Sequence, residues 1–578
     1  MLTKRDRFVK TKRLEKEALV PCFEAVRQLY VWATMTYLAV PISAENVEAA
    51  GRQIDIALAA GAEMLELRTD YLAQLTGDSV TRLIAQAGQA GGARVPVIVT
   101  CRDPSEGGAR PWPEETRMGI LLAAIEVGAE FVDFEYANFT RRGNAQKLLT
   151  ALSAHPRSRL ILSAHDFKKP FRSIRRLYRD IQKACPTAVP KLVYTANHIN
   201  DCFDAFDLLH ETSGDRIVLC MGEPGLISRL LAKKLGSLVT FASLEEQAAT
   251  APGQLTIGTL KGLYRYDIIN ANTELFGVIG DPVGHSLSPA IHNACFAEKG
   301  MNKLYLPLHV QGEGKQFNKF LDAVVARPWL DFHGFSVTIP HKENAAAWSW
   351  RSKLSGPLDS VVHFGGAANT LVIERGPAPP PWDAYVKPGQ PWRRTHNTDW
   401  TGALEAITQG MGIEERDLAK MPVAVVGAGG VARAIVIGLG EAGAKVTIYN
   451  RTVERAKNLV AEMEFDCEAA GLEELARGAE TQNIASLLIN CTSVGMHPNV
   501  DATPVPAEYI KPDMTVFDTI YNPAETLLLK QAKARGARTI NGITMFVNQA
   551  AAQFKLFTAH PANTDLMRKV VCDSLNRR

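Results

Sequence analysis

The chain has 578 residues, 46% hydrophobic and 22% charged with 44 glycines, a composition that excludes a disordered, collagenous or membrane-embedded protein and calls for several hydrophobic cores. Sixty-four Lys and Arg against 61 Asp and Glu leave +3, which gives no reason to expect nucleic acid or an acidic membrane as a partner. The nine cysteines (Cys22, Cys101, Cys185, Cys202, Cys220, Cys295, Cys467, Cys491, Cys572) are scattered and form no C-x-x-C pair, so they predict neither a disulfide framework nor a zinc site but a reducing, cytoplasmic setting.

The first 17 residues hold seven basic and three acidic side chains. The nearby apolar stretch LYVWATMTYLAVPI is too short to span a bilayer, and Glu24 and Arg27 interrupt any secretory run. A transit peptide would be poorer in acids and richer in Ser. Residues 1–34 are therefore expected to be a solvated extension, with plastid import left open.

From Tyr37 to Ala242, eight apolar runs alternate with amphipathic stretches of helical length: YLAVPI, EMLELR, VPVIVTC, FVDFEY, RLILSAH, KLVYTA, RIVLC and LVTFA. This count and spacing predict a (β/α)8 TIM barrel, in which the chemistry sits at the carboxyl ends of the strands. Polar residues do follow the runs: Glu66 and Arg68, Arg102 and Glu106, His165 and Asp166, Arg229, then Thr250 and Gln254. Lys191 opens the sixth run. Its ammonium either points into the barrel, where desolvation makes a Schiff-base nucleophile of it, or starts a strand in solvent.

The ordered motifs ELRTDYL, TCR with EGG, SAHDF, PKLVYTA, MGEPGLISRLLAKKLGS and TAPGQ resemble the type I 3-dehydroquinate dehydratases over residues 35–258. The resemblance implies that Lys191 forms an imine with the substrate ketone, that His165 is general base and then acid, and that Glu106 lies beside it. It also implies that Glu66, Arg68, Arg102, Arg229, Thr250 and Gln254 hold the substrate. Thr250 stands where the family often has Ser.

Residues 259–272 read as a linker with at most one helical turn, and a second half begins with the strand FGVIG. Within it, MPVAVVGAGGVARAIVIGLGEAG followed by KVTIYNRT reads as strand, Gly-rich turn, helix and strand. Gly427, Gly429 and Ala432 fit G-x-G-x-x-A, the turn that brings a pyrophosphate to a helix N-terminus. About 20 positions on, the residue expected to read the ribose is Asn450, followed by Arg451, Thr452 and Arg455. Arginines there suit a 2′-phosphate, so NADP(H) is expected in preference to NAD(H).

SLSP (Ser286, Ser288), SVTIPHK (Thr338, Lys342), GAANT (Asn369), NTD (Asp399) and GITMFVNQ (Gln549) bracket this turn and resemble the shikimate dehydrogenases over residues 273–578. The resemblance implies a Lys342–Asp399 catalytic dyad, with Ser286, Ser288, Thr338, Asn369, Tyr521 and Gln549 on the substrate. It places Gly427, Ala428, Gly429, Gly430, Val431, Ala432, Asn450, Arg451, Thr452, Arg455, Thr519, Gly542 and Met545 along the cofactor. Expected units are a substrate domain, 273–402 completed by 545–578, and a Rossmann NADP-binding domain, 403–544. The insertion ERGPAPPPWDAYVKPGQPWRR, with six prolines, reads as a solvent loop or partner contact.

Together these imply a bifunctional enzyme of two consecutive shikimate-pathway steps, a lyase followed by an oxidoreductase, acting on small molecules with no metal. The alternatives are a quinate-oxidising second half and a catalytically silent metabolite sensor. The second would be expected to have replaced Lys191, His165, Lys342 or Asp399, and all four are present.

Overall fold

The structure, a computed structural model, describes residues 36–89, 95–141, 143–245, 250–351, 355–358, 362, 365–374, 392–475 and 485–576. The N-terminal extension and the greater part of the Pro-rich insertion lie outside the described residues.

The eight runs form eight parallel strands: β1 (Tyr37–Ile42), β2 (Met64–Arg68), β3 (Val97–Thr100), β4 (Phe131–Glu135), β5 (Arg159–Asp166), β6 (Val189–Thr195), β7 (Ile217–Met221) and β8 (Val239–Phe241). Their order is β7-β6-β5-β4-β3-β2-β1-β8, and β8 pairs with β1. The ring is thus closed except between β7 and β8, which share no ladder among the described residues. A clasp at the base, Leu238 N–H donating to Arg216 O at 2.7 Å, and one at the mouth, Gly222 N–H donating to Pro252 O at 3.0 Å, span this seam.

Strands such as β2, β4 and β7 are buried at every position, because helices cover one face and the barrel interior the other. The period of two then separates the contents of the interior by height. Ala39, Met64, Ile98, Phe131, Ile161, Val189, Ile217 and Val239 fill the lower barrel as one apolar cluster. Two residues further along the same strands come Glu66, Thr100, Asp133, Ser163 and Lys191, all buried in the upper barrel.

Residues 259–272 are more than a linker. The helix Ile257–Gly262 and the turn Tyr266–Ile268 pack on the barrel, with Tyr266 and Ile269 buried. Irregular buried backbone needs donors. Lys233 Nζ supplies them to the carbonyls of Tyr266 (3.3 Å) and Asp267 (2.9 Å), and Lys234 Nζ to those of Ala271 and Thr273 (both 2.8 Å).

The second half contains two six-stranded sheets. The first comprises β9 (Glu274–Gly280), β10 (Lys303–His309), β11 (Phe332–Val337), β12 (Ser355–Leu358), β13 (Thr370–Glu374) and β14 (Trp392–His396), in order 10-9-11-13-14-12. β13 and β14 are antiparallel with Glu374 opposite Trp392, so the insertion leaves and rejoins the sheet at facing residues. The second comprises β15 (Pro422–Val426), β16 (Lys445–Asn450), β17 (Cys467–Gly471), β18 (Leu487–Asn490), β19 (Thr515–Asp518) and β20 (Arg538–Ile540), all parallel in order 17-16-15-18-19-20. That is the doubly wound dinucleotide-binding order.

Six helices of this half position its chemistry: α1 (Ser288–Glu298), α2 (Lys342–Arg351), α3 (Thr398–Met411), α4 (Gly430–Glu441), α5 (Gly542–Thr558) and α6 (Thr564–Asn576). Phe546, Val547, Ala550 and Phe554 of α5 share a core with Phe276 of β9 and Tyr305 of β10, while Met567 and Val571 of α6 join Ile291 and Cys295 of α1 in it. The chain's end therefore returns to the first sheet.

Candidate active sites

A cavity opens at the carboxyl ends of the barrel strands, lined by Glu66, Arg68, Arg102, Glu106, His165, Lys191, Arg229, Thr250 and Gln254. Every barrel residue expected to act on the substrate lines it, whereas Asp166, at the end of β5, does not. Lys191, third residue of β6, is 4% exposed and points inward, so the reading in which it starts a strand in solvent does not hold. Its Nζ donates to Asp133 Oδ2 at 2.8 Å and to Glu66 Oε1 at 3.3 Å, and lies 4.8 Å from the centre of the Phe241 ring.

Asp133 and Glu135 on β4 escaped the sequence reading. Arg102 meets both carboxylate oxygens of Asp133 (2.8 and 3.0 Å) and Glu135 Oε1 (3.2 Å), and Glu135 is held in turn by Arg117 at 2.9 Å. The available signal was parity: in FVDFEY the two acids are two apart, on the face that carries Glu66 and Lys191 two strands away on either side. Arg68 is likewise occupied, by Asp70 at 2.8 and 2.9 Å. Arg229 is 3% exposed and, among the described residues, no carboxylate faces it and its Nε has no partner. Gln254 accepts from Thr250 N–H at 2.9 Å, but its own Nε2 is buried without an acceptor. Two residues lining one cavity, each with a buried donor left without a partner, suit a receptor for an oxygen-rich anion.

His165 Nδ1 lies 2.9 Å from Glu106 Oε2, leaving Nε2 as the nitrogen available to a ligand. Burial, with the cations of Arg102 and Lys191 adding to it, holds the imidazole well below its ordinary range, so it is neutral, with a nitrogen lone pair able to accept a proton. Burial also pushes the Glu106 carboxyl up to about 8; Arg102 opposes this, while Glu135 and Asp133 add to it. For Asp133, burial acts upward, yet Arg102 and Lys191 outweigh it and keep the group ionised far below the usual carboxylate range. One ionised acid beside a lysine and one neutral base beside a raised acid form the set needed for amine addition and proton transfer.

In the second half Lys342, first residue of α2, donates to Asp399 Oδ2 at 2.5 Å. Asp399 sits in the first turn of α3, where the Asn397 side chain caps the helix by accepting its N–H. Asn369 Nδ2 reaches Asp399 Oδ1 (3.0 Å) and Gln549 Oε1 (3.3 Å), drawing α5 into the site. Thr338 follows β11, Ser288 opens α1, and Tyr521 stacks on Phe546 of α5 at 4.5 Å. Ser286 accepts the Ser288 N–H at 3.2 Å and lines the cleft between the two halves.

The Gly-rich turn faces this dyad: a Cβ on Gly430 would stand 3.9 Å from Lys342 Cδ. Gly427 has φ +113°, and a Cβ there would press on the Cys491 carbonyl at 3.2 Å, whereas around Gly429 there is open space. No side chain caps α4, whose first-turn amides, from Gly430 and Val431 to Ala432, are left for an anion. At the end of β16, Asn450 Nδ2 bonds Thr452 O at 2.8 Å, and Arg451, Thr452 and Arg455 are exposed; among the described residues neither arginine has an ion pair. Thr519 follows β19, Met545 is buried in α5, and Gly542 has no room for a Cβ against the Ile520 carbonyl, 2.3 Å away. This cradle fits a dinucleotide carrying a further phosphate on its ribose.

Family models match in the same order: type I 3-dehydroquinase at residues 38–271, shikimate dehydrogenase substrate binding domain at 278–370, shikimate/quinate 5-dehydrogenase at 412–499, and shikimate 5′-dehydrogenase C-terminal domain at 542–572. A chloroplastic bifunctional 3-dehydroquinate dehydratase/shikimate dehydrogenase of Arabidopsis thaliana is 32% identical over 552 residues, covering 92% of this chain and 84% of that one. This chain belongs to that bifunctional family. Its dehydrogenase half is also 39% identical over 310 residues to a shikimate dehydrogenase (NADP(+)) of Methanosarcina mazei, matching 52% of this chain and 99% of the relative. Among solved structures, shikimate 5-dehydrogenase of Thermus thermophilus in complex with NADP(H) and shikimate matches at 30% identity and TM-score 0.42, over 52% of this chain and 100% of that one. Among the described residues of the bifunctional chain, no helix is long and apolar enough to cross a membrane.

Proposed function

We propose that the barrel dehydrates 3-dehydroquinate to 3-dehydroshikimate through an imine on Lys191, and that the second half reduces that product to shikimate with NADPH. The observation that carries this reading is the buried Lys191, held by an ionised Asp133, in one cavity with a neutral His165 and the unpaired Arg229.

Arg229 and Gln254 take the substrate carboxylate and hydroxyls. Lys191, once deprotonated, adds to the ketone carbon, and loss of water gives the iminium. The iminium withdraws electrons from the adjacent carbon, whose proton passes to His165. The C–O bond of the β-hydroxyl then breaks, and His165 returns its proton so that water leaves. A second water hydrolyses the imine and frees Lys191, so the net change is the loss of one water. Glu106, on Nδ1, orients the imidazole throughout.

In the second half NADPH, when held by the Gly427–Ala432 turn, would supply the hydride for reduction of the carbonyl carbon. Lys342 donates the proton to the oxygen, and Asp399 holds the ammonium in place at 2.5 Å. Asn369 fixes Asp399, and the Gly427–Ala432 turn with the uncapped N-terminus of α4 would hold the cofactor's phosphates. Arg451, Thr452 and Arg455 receive the 2′-phosphate.

The test is a coupled assay of 3-dehydroquinate with NADPH, following enone and cofactor absorbance together. Lys191→Ala is expected to stop both signals and Lys342→Ala only the second. Borohydride added with 3-dehydroquinate is expected to leave its mass on Lys191. A wild type that moves neither signal would overturn the reading in favour of a sensor. The free thiols favour a cytoplasmic location, which microscopy of the tagged full chain decides.

A further inference from the structure

The Lys342 and Lys191 sites lie in different halves, and one side chain ties their loops together. His309, the last residue of β10, is buried, with Nε2 2.8 Å from Asp281 Oδ1 and Nδ1 3.1 Å from Glu223 Oε1. Asp281 belongs to the dehydrogenase half and leads into the loop of Ser286. Glu223 belongs to the barrel. The ring therefore lies between carboxylates from both halves, hydrogen-bonded to Asp281 through Nε2 and at ion-pair distance from Glu223 at Nδ1.

Glu223 is not in the dehydratase cavity, but its turn is built into the cavity's rim. It follows Met221, which lines the cavity, and precedes the helix Leu226–Leu230 that carries Arg229. In that turn Gly222 N–H donates to Pro252 O, and a Cβ on Gly253 would lie 2.4 Å from Gly222 O. The Glu223 turn and the Thr250–Gln254 loop are thus interlocked, and a hold on one is a hold on the other. On the far side Asp281 is itself fixed, its N–H donating to Ile339 O at 3.0 Å and its Oδ2 accepting from Gly312 N–H at 3.2 Å.

We infer that His309 of the dehydrogenase half is a positioning residue for the dehydratase pocket, acting through Glu223 to hold the loops that carry Arg229, Thr250 and Gln254. The inference rests on the barrel cavity being the dehydratase site. The halves are joined independently elsewhere, by Arg327 on Asp207 (2.6 and 2.8 Å) and by Trp329 stacked on His210 at 4.1 Å. Losing the Glu223 contact therefore loosens the rim without parting the halves.

The experiment uses the full chain with Glu223→Ala, His309→Gln and the double variant. Glu223 is 57% exposed, so its truncation leaves the fold intact, and Gln at 309 reproduces the Nε2 position but not Nδ1. Each single variant is expected to raise KM for 3-dehydroquinate about threefold to fivefold, the size of a half-exposed ion pair, with kcat within about twofold. The double variant is expected to match the singles, because both remove one contact. Reduction of 3-dehydroshikimate by Glu223→Ala and its thermal unfolding are expected to stay at wild-type values. Unchanged KM in both singles, multiplying effects in the double, or KM and kcat worsening together with a lowered melting temperature would each overturn the coupling. If the wild type turns over no 3-dehydroquinate, the dehydratase reading itself fails and this inference falls with it.

Discussion

A buried guanidinium without a counter-ion costs the empty protein stability that only its ligand restores. Burial pulls the pKa of Arg229 down from 12.5 to about 10. A drop of that size corresponds to about 3 kcal/mol against the buried charge. Because it is a cation whose folded-state value is depressed, the penalty is complete at every pH below about 10 and is relieved only as pH rises from there toward 12.5. Arg229→Met keeps an unbranched stem and removes the charge. The ligand-free barrel is expected to gain up to about 3 kcal/mol, less whatever packing Met loses, which raises its melting transition by roughly 5 °C. The same change leaves the substrate carboxylate without a cation, and kcat/KM for dehydration is expected to fall about 100-fold or more. Scanning calorimetry of the full chain, with steady-state dehydration beside it, measures both quantities. A variant that melts lower than wild type while keeping kcat/KM within about threefold would refute the argument.

His292 stacks on Tyr305 at 4.3 Å with both ring nitrogens buried and unpartnered, and burial lowers its pKa from 6.5 to about 3. The unfolded chain therefore binds the extra proton between those values, and stability is expected to fall below pH 6.5, by about 2 kcal/mol at pH 5. His292→Phe should flatten this, as read from urea midpoints at pH 5 and 7. Glu106, raised to about 8, predicts a limb near pH 8 in the dehydration rate that disappears in Glu106→Gln. Arg451→Ala combined with Arg455→Ala is expected to raise KM for NADPH about 10-fold or more and leave that for NADH unchanged, since both are exposed and free to meet a 2′-phosphate.

Much of this architecture is written in periodicity. The eight strands, the Gly-rich turn and the polar residues ending the runs are local patterns, and each stands where its pattern puts it. Asp133 and Glu135 were harder to read because an acid in FVDFEY pairs as well with solvent as with a buried cation, until closure of the barrel brings Arg102 and Lys191 to them. The three arginines looked equivalent in sequence, yet two are neutralised within the barrel and only Arg229 stands free of a carboxylate among the described residues. The connection at 259–272 shows no pattern because its order comes from Lys233 and Lys234, on a helix well before it in the chain. His309 and Glu223 meet only through the docking of two halves, a relation that no motif spacing encodes.

The missing ladder between β7 and β8 makes the barrel a clip, hinged at its base, and not a hoop. Widening a complete ring would break backbone hydrogen bonds along a whole strand, whereas here the mouth is shut across the seam by the Gly222 to Pro252 contact. The amides flanking the seam are expected to exchange with solvent sooner than those of β4 and β5. The jaws of the clip are the loops of Arg229 and of Thr250–Gln254, and Glu223, beside the first of them, lies 3.1 Å from His309 of the neighbouring half. On the coupling inferred above, separating the two halves is expected to loosen the rim of the first half's cavity as well as to remove the tether between them.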